Sequence, residues 1–201
     1  MDELTKSSIV SGILIGIGTF ANVICENRYV GAALFSFALL IIIQNGLKLY
    51  TGQIGYIFDD KVKVGDLVTI FINNLVGVGI SSILILPTLS KNGIERFFLI
   101  ASQKMGKGFI EIFLCGIFCG VLIYLAVYCK KTIITIMCIM IFILCGYEHC
   151  IALCPFYLCN PSISNTMKFL LVILGNSIGA IAINSLMKER NNVNNNKQKN
   201  K

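Results

Sequence analysis

The stretch TIITIMCIMIFILCGYEHCIALCPFYL, residues 132–158, decides how this chain folds. It is apolar for longer than a bilayer requires, since about 20 residues of helix cross the ~30 Å hydrocarbon core. Yet its middle holds Gly146, a glutamate and the only histidine of the chain, with Pro155 shortly after. Glycine and proline interrupt a helix. An ionisable side chain at membrane depth is expensive and marks a functional site by default. The segment is therefore expected to be a broken helix within a membrane, with Glu148 and His149 at the break.

The rest of the chain agrees with a membrane setting. It has 201 residues, 56% hydrophobic and 13% charged, where a soluble domain is closer to a quarter charged. Residues 7–25, 29–47, 67–90, 112–129, 132–147, 150–167 and 169–187 contain no Asp, Glu, Lys or Arg. The first run lacks the cleavage site of a signal peptide. Six spans result, at about 8–25, 29–49, 67–87, 109–129, 132–158 and 168–187. The fold class is all-α and integral to the membrane, with residues 1–187 as one domain. Asp59, Asp60, Lys61 and Lys63 mark a polar loop after span two, and Lys130 and Lys131 a turn after span four. The tail, residues 188–201, ends NNVNNNKQKNK and is polar and low in complexity, which predicts disorder.

The net charge of +7 leans on that tail (Lys188, Arg190, Lys197, Lys199, Lys201), so it does not point to nucleic acid. Positive charge beside spans sets their orientation. Six spans put both termini on one side, together with Lys6, Lys61, Lys63, Lys130 and Lys131. The opposite loops hold Arg28, Lys91, Arg96, Lys104, Lys107 and Lys168. The bias places both termini in the cytoplasm of a cell whose plasma membrane the chain crosses.

The halves repeat. NGLKLYTG from Asn45 parallels CGYEHCIA from Cys145, aligning Gly46 with Gly146. Asn74 with Gly77 parallels Asn176 with Gly179, and GILIGIG from Gly12 parallels GIFCG from Gly116. The units run from about 8 to 90 and from 105 to 187. Three spans per unit is an odd number, so the second unit inserts inverted. Inverted repeats with breaks at matching positions belong to transport folds, and unwound backbone at membrane depth survives where protein or a water-filled cavity covers it. A pore between the breaks is the expectation, with the small residues of Asn-x-x-Gly permitting close helix packing.

Other chemistries fit less well. The nine cysteines include no C-x-x-C, and buried cysteine packs as a small hydrophobe. One histidine builds no H-E-x-x-H metal site. No cofactor or metal is implied, and the chain does not read as an enzyme. A membrane subunit of a larger importer, or a thiol-redox membrane protein using the cysteines, are the alternatives.

LFSFALLIIIQNGLKLYTG (34–52), FINNLVGVGI (71–80), KMGKGFIEIFLCGIFCGVLIYLAVYC (104–129), GYEHCIALCPFYL (146–158) and LGNSIGAIAI (174–183) resemble, in order, the signatures of the formate/nitrite transporter family. The resemblance implies an aquaporin-like fold with helices two and five broken, and a homopentamer with one pore per protomer. It implies passage of small monovalent anions or their neutral acids, such as formate, nitrite, hydrosulfide, acetate or lactate. Its pore histidine falls on His149, its loop threonine on Thr51 and its vestibule lysine on Lys104. Its constrictions fall on Phe35, Leu39, Leu49, Tyr50, Ile123 and Phe142. The chain departs from the family pattern at Lys48, where an acid is usual, and at Gly120 and Leu153, where asparagines are usual.

Histidine suits the implied task because its unperturbed pKa is about 6.5. Lys104 and Lys107 would attract the anion. His149 would then protonate it or donate a hydrogen bond, with Thr51 adding a hydroxyl. Glu148 is expected to cap backbone N–H groups at the break or to pair with a cation. Gly46, Gly146, Asn74 and Asn176 are expected to support the breaks.

Overall fold

The computed structural model describes the backbone of residues 1–59 and 61–199, and side chains through Glu189. Asp60 of the polar loop, Lys201 and the side chains of Arg190, Lys197 and Lys199 lie outside the described residues. Among the described residues there are nine α-helices: α1 (Glu3–Ile24), α2 (Arg28–Gln44), α3 (Tyr50–Gln53), α4 (Val64–Ile85), α5 (Lys91–Met105), α6 (Phe109–Cys129), α7 (Thr132–Leu144), α8 (Cys150–Leu158) and α9 (Ile163–Lys199). A 3₁₀ segment, Ile54–Asp59, continues from α3.

Four of these are long and apolar enough to cross a bilayer alone: Glu3–Ile24, Val64–Thr88, Phe109–Cys129 and Ile163–Glu189. Each opens earlier than, or at, the expected boundary. The other two expected spans are each split. α2 stops at Gln44 and resumes as α3 at Tyr50; α7 stops at Leu144 and resumes as α8 at Cys150. The second piece of the first break also runs further than expected, since helical backbone continues to Asp59.

Both breaks have one construction. Gly46 and Gly146 stand at φ 65° and 71°, a left-handed conformation that an L side chain adopts only with strain. At the first, Gly46 N–H donates to Ile43 O and Leu47 N–H to Ile42 O; at the second, Gly146 N–H donates to Ile143 O and Tyr147 N–H to Phe142 O. These are Schellman ends. The chain then extends through Leu49 (φ −116°, ψ 129°) and His149 (φ −100°, ψ 121°) before the next helix begins.

Extended backbone inside a membrane must find partners for its polar groups. Two fully buried asparagines supply them. Asn74 on α4 donates to Lys48 O (3.0 Å) and Ser8 O (2.7 Å) and accepts from Tyr50 N–H (2.8 Å). Asn176 on α9 donates to Glu148 O (2.9 Å) and Gly116 O (2.8 Å) and accepts from Cys150 N–H (2.9 Å). These matched bonds correct one alignment. Ser8, not Gly12, is the counterpart of Gly116, so the partner of Gly12 is Gly120, one turn further on.

Packing follows the same pairing. α1 lies closely against α4 and α6 against α9. A Cβ on Gly12 would overlap Asn74 O, and one on Gly120 would overlap Asn176 O; Gly77 and Gly179 meet the backbone of Ile9 and Ile117 in the same way. The halves interlock through the short pieces, α8 packing on α4 and α3 on α6.

One expectation about the elements is corrected. Residues 91–105, taken as loop, form α5, whose Ser90 Oγ accepts from Gly93 N–H at 3.2 Å. Phe97, Ala101 and Met105 are buried at a spacing of four, an amphipathic face too short in apolar residues to register as a span. Helical backbone in α9 continues to Lys199. No Gly or Pro follows Gly179, and extending an existing helix is far easier than starting one.

Within α9, around Asn184 and Lys188, a polar cluster ties down the 3₁₀ segment. Asn184 donates to Gly55 O (2.7 Å) and to Asp59 Oδ1 (3.1 Å), and accepts from the Tyr124 hydroxyl (2.7 Å). Lys188 pairs with Asp59.

Candidate functional site between two basic cavities

The two breaks meet at their helix starts. His149 is the N-cap of α8, and its Nδ1 accepts the Ala152 N–H at 3.2 Å. Thr51 stands in the first turn of α3. The His149 Nε2 and Thr51 Oγ1 are 2.8 Å apart, and both residues are buried. A neutral imidazole has one donor and one acceptor nitrogen. Because Nδ1 already accepts, the proton sits on Nε2 and is donated to Thr51. The Thr51 hydroxyl hydrogen is then left to point elsewhere.

Two cavities flank this pair and share no lining residue. The first, about 480 Å³, has Arg28, Arg96, Lys104, Lys107, Glu148 and His149 on its wall. The second, about 340 Å³, has Lys48, Lys61 and Lys130, with no carboxylate among the described residues. Four cations against one carboxylate, and three against none, make both cavities strongly positive.

The lone carboxylate is accounted for. Glu148 is 1% exposed and is shared by Lys104 (2.8 Å) and Lys107 (2.7 Å). Lys107 also donates to Gly146 O, reaching the left-handed turn itself. Lys104 additionally lies over the Phe156 ring, 5.6 Å from its centroid. Lys104 lines the first cavity with its charge partly answered. Glu148 takes the second of its two expected roles, pairing with cations rather than capping N–H groups.

The six expected constriction residues divide. Phe35 and Phe142 line the first cavity and meet edge to face at 5.6 Å, with Phe142 also 6.3 Å from the His149 ring. Leu39 and Leu49 line the second. Tyr50 and Ile123 line neither. The Tyr50 hydroxyl bonds Ser177 (2.9 Å) and its ring packs on Phe71 at 5.0 Å, so it is turned toward α4 and α9.

At the departures, Lys48 adds a cation to the second cavity, and Leu153 places an apolar side chain in the first. Gly120 lines neither, being pressed on the Asn176 backbone. Sequence reasoning missed Arg28 and Arg96 as cavity residues. Arg28 follows the N-cap Asn27 and donates to Leu144 O at 2.8 Å, which covers the C-terminus of α7. Only the folded corner reveals that role, since 116 residues separate the partners.

A family model described as formate/nitrite transporter matches residues 1–188. Among solved structures, one described as an FNT family ion channel superposes with a TM-score of 0.78 at 22% identity, covering 93% of this chain and 89% of that one. Another, a pentameric formate channel with formate bound, gives 0.70 at 20% identity and 94% of each chain. No curated protein matches. At these identities the structures establish the fold.

Proposed function

The chain belongs to the formate/nitrite transporter family, and from that premise we propose that it is a membrane channel passing small monovalent anions or their conjugate acids. Formate, nitrite, hydrosulfide, acetate and lactate are the candidates. The family is one of transporters rather than enzymes. Six spans form two inverted three-helix units, and each protomer carries one pore along the two cavities. The assembly is a homopentamer, as in the formate channel whose fold this chain shares. It lies in the plasma membrane with both termini in the cytoplasm, so the first cavity faces outward.

The observation that carries this reading is a hydrogen-bonded His149–Thr51 pair placed between two basic cavities. Basic funnels concentrate anions at either end. An anion leaving water for a narrow apolar passage faces a large desolvation cost. Two groups at the middle offset it, the Nε2–H of His149 and the Thr51 hydroxyl. Giving up the Nε2 proton would leave a neutral imidazole as an anion, which is prohibitive in a dry site. His149 therefore acts first as a hydrogen-bond donor. To act as an acid it must first take a proton on Nδ1, which requires releasing the Ala152 N–H.

The test is flux into liposomes loaded with a pH dye. Formate, nitrite, hydrosulfide, acetate and lactate are added in turn to wild type, His149→Ala and Lys104→Ala. Rapid pH change in wild type for at least one anion, lost in His149→Ala and slowed in Lys104→Ala, is expected. Folded wild-type protein that passes none of them would overturn the reading.

A further inference from the structure

Two guanidinium groups face the first cavity with far more donors than the protein satisfies. Arginine carries five N–H donors in a fixed fork. Among the described residues Arg28 makes one bond of good length, to Leu144 O. Arg96 reaches one acceptor, Glu26 O, at the long distance of 3.5 Å. Its Nε is buried with no partner among the described residues. A buried polar atom without a partner is rare and calls for an explanation. The one carboxylate that lines the cavity does not supply one, because Glu148 is already held by Lys104 and Lys107.

We propose that Arg28 and Arg96 form an anion-capture subsite in the first cavity, separate from the Lys104–Glu148–Lys107 cluster, which selects planar anions bearing two oxygens. The fork geometry sets the class. Two parallel N–H donors match two oxygens on one carbon or nitrogen, as in a carboxylate or nitrite. A one-atom anion such as hydrosulfide gains the charge but not the second bond. A lysine, as a point charge, makes no such distinction. The two arginines differ in duty. Arg28 also covers the end of α7, so it is fixed in place, whereas Arg96 on α5 is held by one long bond and is free to close on the ligand.

This inference rests on the anion-channel reading, and its test separates the two. The dose dependence of formate and hydrosulfide flux is measured for wild type, Arg96→Lys and Arg96→Gln, alongside binding of ¹³C-formate to the same purified proteins by NMR. Arg96→Lys is expected to raise the half-saturating formate concentration about tenfold, the equivalent of one good hydrogen bond. Hydrosulfide should shift less than twofold in that variant, and the maximal flux of both should hold. Arg96→Gln should weaken both anions. Equal shifts for the two anions in Arg96→Lys, or no shift in either variant, would overturn the subsite while leaving the channel intact. Formate binding that depends on Arg96 in a protein without flux would sustain the subsite and sink the channel. Wild-type protein that binds no formate would overturn the subsite.

Discussion

His149 makes two bonds with two different jobs. Its Nδ1 starts α8 by accepting the Ala152 N–H, and its Nε2 reaches across to Thr51. The jobs are separable by substitution. Asparagine is a good N-cap but too short to replace the reach of an imidazole. His149→Asn should keep wild-type thermal stability and lose flux. His149→Ala should lose flux and about 1 kcal/mol of stability as well. If His149→Asn unfolds as readily as His149→Ala, the capping role is wrong. Thr51 is tested the same way. Thr51→Val keeps the shape and removes the hydroxyl, and should lower maximal flux about tenfold, one hydrogen bond's worth. Thr51→Ser should restore most of it.

At the scale of elements, the breaks depend on Asn74 and Asn176. Leucine at position 176 would orphan Cys150 N–H and Glu148 O, while Gly116 O would keep only its place in the α6 ladder. Each unsatisfied buried group costs about 1–3 kcal/mol, so Asn176→Leu should fail to give folded protein in detergent, or melt far below wild type. Gly120 carries a second prediction. The family resemblance implies asparagine there, yet Gly120→Asn should destabilise this chain, because even a Cβ overlaps Asn176 O. A rise in melting temperature for that variant would contradict the packing described for α6 and α9. These same elements show how much the sequence disclosed. The breaks at Gly46 and Gly146 were legible because glycine after an apolar run has few other uses there. α5 was not, since a helix with one buried stripe looks polar when averaged. The Ser8–Gly116 correspondence was missed because glycines were aligned by type, whereas what repeats is a backbone carbonyl beneath an asparagine. Arg28 and Arg96 were hidden for a related reason. Their surroundings come from distant parts of the chain.

For the whole molecule, the tie between the 3₁₀ segment and α9 makes a prediction about pH. Burial alone would raise the Asp59 carboxyl, but the bonds from Lys188 and Asn184 outweigh it and hold it below the ordinary carboxylate value. A depressed folded pKa stabilises the protein above the unfolded value of about 3.9 and loses that contribution as the pH falls through the folded one. Asp59→Asn should therefore melt below wild type at pH 7, with the gap closing at an acid pH below the depressed value of the folded carboxyl. Thermal unfolding at the two pH values checks it.

The charges of the second cavity have an electrical consequence. A pore whose fixed charge is positive at one mouth only acts as a diode for anions, filling more readily from that side. Here Lys48, Lys61 and Lys130 answer the cations of the opposite mouth. The anion current through a single pore should then be nearly the same in size when the voltage is reversed. The direction of net movement is left to the gradients of anion and pH, so one molecule would serve for uptake when the anion is scarce inside and for disposal when it accumulates.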